Sequence, residues 1–110
     1  MIFQLGSALL DACILAILAR KDAYGYLLTQ EVKEIFEVSE STLYPVLRRL
    51  QKDNCLNTYD MPFGGRNRRY YQITEAGKEK LGEYSRDWDE YKDKVGRILS
   101  TDGGVQCEQA

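Results

Sequence analysis

Residues 41–50, Ser41-Thr42-Leu43-Tyr44-Pro45-Val46-Leu47-Arg48-Arg49-Leu50 (STLYPVLRRL), space their apolar side chains as a helix does and yet contain a proline. Leu43, Val46, Leu47 and Leu50 make one stripe. At about 3.6 residues per turn, Ser41, Tyr44, Pro45 and Arg48 lie opposite it, with Thr42 and Arg49 at the margin. Ser39 is placed to cap this helix, and Asp53-Asn54 to end it. With that cap, Pro45 falls beyond the free first turn, removes one backbone N–H and hinders the Ser41 carbonyl. Its ring then sits on the polar face, where it costs no packing and fixes how Ser41, Thr42 and Tyr44 are presented. The plainer reading is a helix that starts near Ser41, with Pro45 in a tolerated first turn.

Working outward, residues 2–20 read as a helix with apolar residues nearly all round, which implies burial on more than one face. After the break at Lys21-Asp22-Ala23, Tyr24-Gly25-Tyr26 opens a second helix, with Leu28, Val32, Ile35 and Phe36 at helical spacing. Beyond the third helix, Leu56–Tyr59 and Arg69–Ile73 are short, aromatic and β-prone. Between them residues 61–68, MPFGGRNR, form a loop by their proline and glycine pair, giving a hairpin with a basic tip. Thr74 caps a long helix to about Ser100. Its apolar positions Leu81, Tyr84, Trp88, Tyr91, Val95 and Ile98 alternate spacings of three and four, a heptad seam. Such a helix is about 39 Å long at about 1.5 Å per residue. A head this small cannot cover its stripe, so the stripe is expected to pair with a second copy. Residues 101–110 carry Gly103-Gly104 and no pattern, and are expected to be a disordered tail.

Composition narrows the function. At 110 residues the chain is one domain's worth and holds a modest core. The apolar stretch Ala8–Ala19 is broken by Asp11 and is far shorter than the roughly 20 residues of a membrane span. No basic residue precedes Arg20, so no secretory signal is expected and the chain is placed in the cytoplasm. Histidine is absent, and Cys13, Cys55 and Cys107 are far apart, which argues against a zinc site, a disulfide framework or acid–base catalysis. No metal, cofactor or catalytic residue is expected. Cys13 is expected to pack in its helix and Cys107 to lie in the tail; Cys55 is either a packed thiol or a redox sensor.

Net charge is −2, but residues 40–72 carry +3 while both flanks are acidic. A phosphate backbone responds to that local surplus. Three helices, a basic hairpin and a long heptad helix, in that order, make a mainly α, α+β chain. It is a winged helix-turn-helix over residues 1–74 followed by a dimerisation helix over 75–100. Its third helix fits the major groove, about 12 Å wide. Ser41, Thr42 and Tyr44 are short-range donors there, Arg48, Arg49 and Lys52 reach bases or phosphates, and Arg66, Arg68 and Arg69 on the hairpin reach flanking phosphates or the minor groove.

The motifs Leu15-x-x-Leu18 before Tyr24-Gly25-Tyr26, then Thr42-Leu43-Tyr44-Pro45-x-Leu47-x-Arg49-Leu50, then Arg69-Tyr70-Tyr71-x-Ile73-Thr74-x-x-Gly77 resemble the PadR family of winged-helix transcriptional regulators. The resemblance covers roughly residues 5–100 and, with one C-terminal helix, is to the short subfamily. It implies a homodimeric repressor on a palindromic operator, of genes for stress, drug export or cell-envelope response. It places Ser41, Thr42, Tyr44, Arg48, Arg66 and Arg68 at the DNA. Tyr24 and Tyr26 touch a phosphate or belong to the core. It also implies that Trp88, with Tyr84 and Tyr91 beside it, lines a pocket between subunits for a planar aromatic effector, with Asp87, Asp89 and Glu90 favouring a cation. The plainer reading packs Trp88 in the dimer core. A different class stays open: a winged helix that docks proteins through its basic wing and binds little DNA.

Overall fold

The computed structural model describes residues 6–100; the expected tail and the first residues of the first helix lie outside the described residues. In chain order the elements are α1 (Ser7–Arg20), β1 (Ala23–Tyr24), α2 (Gly25–Ile35), α3 (Glu40–Lys52), β2 (Leu56–Phe63), β3 (Arg66–Ile73) and α4 (Glu75–Leu99). Helix α1 is the centre of the head. It buries Leu10, Asp11, Ile14, Leu15 and Leu18 and touches α2, α3, α4 and β3. Into the same core α2 places Leu28 and Val32, α3 places Leu43, Val46, Leu47 and Leu50, and the sheet places Leu56 and Tyr71. One apolar position of α2 departs from expectation: Ile35 is exposed. Thr29 is buried instead, satisfying its hydroxyl by donating to the Tyr26 carbonyl at 2.8 Å.

The expected hairpin is part of a three-stranded antiparallel sheet ordered β1-β3-β2. Ala23 and Tyr24 pair with Tyr71 and Tyr70, so α2 begins at Gly25 rather than at Tyr24. A two-residue strand leaves no alternation to detect, which is why sequence reading gave these residues to the break and the helix. The loop expected over 61–68 is also shorter. Pairing runs on to Phe63 opposite Arg66, leaving only Gly64 and Gly65 to turn, at φ 57° and 80°. Two consecutive left-handed residues match the twist of paired strands, and glycine adopts them without steric cost. Pro62 is accommodated because β2 is an edge strand.

Helix α3 ends in a Schellman arrangement. The Cys55 N–H donates to the Leu50 carbonyl at 2.8 Å and Asn54 N–H to Gln51 at 3.0 Å, with Asn54 left-handed at φ 65°. The next helix is fastened to that corner. Thr74 accepts from the Gly77 N–H at 2.9 Å, as a cap should, and donates to the Asn54 carbonyl at 2.7 Å. Gly77 is buried against the Cys55 carbonyl oxygen, where a Cβ would overlap that oxygen and stand 2.7 Å from Ile73 Cγ1. Gly77→Ala therefore lowers stability by about 1–3 kcal/mol, read from the urea midpoint. Gly82→Ala is the control. Its methyl meets only the Arg86 side chain at 3.6 Å, and better helix propensity gains up to about 1 kcal/mol.

Candidate nucleic-acid interface

Helix α3 starts at Glu40 with Ser39 at the cap position, so Pro45 is interior and exposed, as the first of the two sequence readings has it. The capping bond itself is not made by Ser39. Its hydroxyl contacts Ser41 Oγ at 2.8 Å and Thr42 Oγ1 at 3.2 Å, forming a cluster of three hydroxyls on the exposed first turn. Glu40 next to it is held by Lys33 at 3.4 Å. Arg48 and Lys52 are exposed and, among the described residues, make no ion pair. Tyr44 is half-buried and packs over the start of α2, beside Gly25.

Arg49, exposed on the margin of the same helix, has a partner within the chain. Its guanidinium makes a bidentate pair with Asp11, Nη1 to Oδ2 at 2.9 Å and Nη2 to Oδ1 at 2.8 Å. Asp11 is only 3% exposed, and the Tyr84 hydroxyl donates to its Oδ2 at 3.2 Å. The Asp11 hydrogen bonds raise the Arg49 pKa further above its ordinary range. Burial, then the Asp11 charge, raises that of Tyr84. Arg49 is thus engaged by Asp11 while 44% of its side chain stays exposed, and that pairing competes with the DNA contact expected of it. Tyr84 holds Asp11 with its hydroxyl while its ring also lines the groove beside Trp88 and Tyr91.

On the wing, Arg66 is exposed beside the glycine turn. Arg68 is held between two rings, 4.3 Å from the centroid of Tyr24 and 3.6 Å from that of Phe63, so it braces the hairpin against the start of α2. The bracing continues as a column of rings: Tyr24 lies 5.7 Å from Tyr70, and Tyr70 stacks on Tyr59 at 5.4 Å. Tyr59 donates to Asp22 at 2.6 Å, and that bond raises its pKa. Arg69 pairs with Asp60 at 3.7 Å. A hollow between recognition helix and wing is lined by Tyr26, Tyr44, Asn67 and Arg69. Tyr24 is half-buried in the ring column, whereas Tyr26 is 57% exposed.

Along α4, Trp88 is 41%, Tyr91 61% and Ile98 79% exposed in the single chain, while Leu81, Tyr84 and Val95 are half-covered. Trp88 and Tyr91 sit ring to ring at 6.4 Å in an open groove of about 590 Å³, whose other wall is Ala8, Leu9 and Ala12 of α1. Asp87, Glu90 and Lys94 rim it.

A three-helix head whose third helix shows hydroxyls and cations, a basic hairpin beside it and a long C-terminal arm define a winged-helix DNA-binding regulator. The transcriptional regulator PadR-like family matches residues 14–83. Transcriptional regulator Rv3488 of Mycobacterium tuberculosis is 39% identical over 78 residues, 70% of this chain and 73% of that one. The crystal structure of smu.1704 from Streptococcus mutans UA159 superposes with TM-score 0.85 at 37% identity, covering 92% of this chain and 95% of that one. A PadR family transcription regulator of Clostridium difficile R20291 does so with TM-score 0.76 at 32% identity, over 83% and 98%. The chain belongs to the PadR-like family, a family of DNA-binding transcription regulators and not of enzymes. No helix among the described residues is long and apolar enough to cross a membrane.

Cys55 is buried against the α4 corner, and burial followed by the Asp53 charge raises its thiol pKa; burial does the same at Cys13. A thiol so placed is a poor nucleophile, which favours the packed reading of Cys55 over the sensor. Both cysteines are expected to react with iodoacetamide at pH 8 more slowly in the folded protein than in urea, followed by mass spectrometry of the two peptides.

Proposed function

We propose that the protein is a cytoplasmic homodimeric repressor that binds a palindromic operator, with a planar aromatic compound relieving it at the dimer interface. Regulated genes for stress, drug export or cell-envelope response follow from the family resemblance. The observation that carries the dimer is the uncovered seam of α4. A helix of 25 residues, about 38 Å long, leaves Trp88, Tyr91, Ile98 and Leu99 open to water in the single chain. A second copy of the same helix buries that seam by twofold symmetry. The DNA face is the Ser41–Thr42 hydroxyl turn, with Tyr44, Arg48 and Lys52 on α3 and Arg66 on the wing. Arg68 acts there as a brace that aims the hairpin. Two such faces related by a dyad read half-sites about 34–36 Å apart.

Charge reversal tests the face. Arg48→Glu with Arg66→Glu abolishes binding to an operator while sedimentation still shows a dimer. Survival of binding would move the protein to the alternative class, a wing that docks proteins. Arg48→Ala alone lowers the slope of log K against log salt by about 1 if it contacts a phosphate.

The effector reading rests on the groove at Trp88. Its volume suits a small ligand, two exposed rings offer stacking, and at the rim, where Lys94 pairs with Glu90, Asp87 is the carboxylate left to favour a cation. Trp88 is the only tryptophan in the chain, so its emission reports the groove directly. Planar aromatic cations are expected to quench it saturably, and a Trp88→Leu dimer to lose the heat of binding in calorimetry. Blue-shifted emission indifferent to every such compound would mean a packed seam.

A further inference from the structure

We infer that Tyr84 and Asp11 are positioning residues for DNA reading: through them the dimer arm sets the pose of the recognition helix. The inference deepens the DNA-binding reading above and rests on it. The geometry is a single carboxylate shared by three helices. Asp11 comes from α1 and is 3% exposed. Both its oxygens are taken by Arg49, in the last turn of α3, and Oδ2 also by the hydroxyl of Tyr84 on α4. No buried side-chain oxygen or nitrogen among the described residues lacks a partner, so this cluster is complete as it stands.

Tyr84 faces two ways. It lines the groove between α1 and α4 with Trp88 and Tyr91, and it lines the polar hollow that holds Asp11, Arg49, Asp53 and Cys55. A shift of α4 along α1 therefore carries the hydroxyl off Asp11. One oxygen of the buried Asp11 then has one donor fewer, and the Arg49 bonds readjust to serve it. Arg49 is one residue from Arg48 and shares its helix with Ser41 and Thr42, so readjustment turns the whole reading face. The backbone corner where Thr74 and Gly77 fasten α4 to the end of α3 fixes one point of that contact. The remaining buried side chains of α3, Leu43, Val46, Leu47 and Leu50, are apolar and hold it by non-directional contact, so the Asp11 cluster is the directional side-chain contact that adds an angle to that fixed point.

The test needs a DNA probe. A palindrome is selected from a random duplex pool with the wild-type dimer, and a scrambled duplex of equal length serves as the non-specific reference. Tyr84→Phe removes one oxygen and keeps the ring. The variant is expected to bind the scrambled duplex as wild type does and the palindrome roughly fivefold or more weakly, with dimerisation intact. Arg49→Lys keeps the charge but cannot take both carboxylate oxygens, and it is expected to lose selectivity in the same direction. Asp11→Asn decides between roles. If Arg49 were a DNA contact held back by its partner, neutralising Asp11 would tighten binding to both duplexes, which overturns the inference. A Tyr84→Phe dimer with unchanged selectivity, or with both affinities lowered in proportion, overturns it too. Failure of the wild type to select any palindrome would instead remove the DNA-binding reading itself, and the inference with it.

Discussion

The structure depends on one buried carboxylate. Asp11 sits in the middle of the most apolar helix of the chain, and a charge there is tolerable only when it is paired and fully hydrogen-bonded. That condition is met from two directions, by the fork of Arg49 and by the hydroxyl of Tyr84. Replacing such a pair by apolar groups is often neutral for stability, whereas removing one partner costs about 3–5 kcal/mol when both are buried. Arg49 keeps 44% of its side chain exposed, so the penalty here is smaller. The pair is therefore weak as a source of stability and strong as a constraint. It permits only arrangements in which α1, α3 and α4 meet at that point, and the apolar stripes of the three helices then interlock around it.

The second constraint is the corner between α3 and α4. Its backbone is tied by the Schellman bonds, by Thr74 reaching back to Asn54, and by the Thr74 N–H donating to the Cys55 carbonyl at 3.0 Å. Gly77 lets the new helix lie directly on that carbonyl. The arm thus leaves the head at a fixed angle while the wing, on the other side, is braced by rings and one guanidinium rather than by backbone contacts to α3. The arm root is tied by backbone bonds, and the wing by its pairing with β1 and by side-chain stacking.

Much of this was legible in the residues. Leu43, Val46, Leu47 and Leu50 announce the buried side of α3, and Thr74 its role as a cap, because helical period and capping are local properties. The chain order of helices, basic hairpin and arm carries the fold for the same reason. What was not legible is non-local. Arg49 at the margin of a helical wheel looks like any surface cation until Asp11, 38 residues earlier, is placed beneath it. The signal was present: a lone carboxylate inside an apolar helix demands a partner, and the interrupted stretch Ala8–Ala19 showed the need without naming the residue. Arg68 is similar, since its rings come from β1 and β2, and the two-residue β1 carries no pattern of its own. Ile35, the last residue of α2, is exposed although periodicity places it on the buried stripe.

The distribution of charge adds a last consequence for binding. The chain as a whole is acidic, and the surplus of positive charge is confined to residues 40–72. Of the six cations there, Arg49 pairs with Asp11 and Arg69 with the exposed Asp60, and Arg68 contacts two rings. Arg48, Lys52 and Arg66 are exposed and make no ion pair among the described residues, a small set for a single head. Counterion release scales with the number of phosphates neutralised, so the count of open cations limits what one head gains from it. In the homodimer proposed above, two heads double the contacts, and the second engages at the high effective concentration that a fixed separation provides. In that proposed dimer, affinity and orientation both depend on the arms, and the small number of unpaired cations on α3 and the wing is a physical argument for pairing.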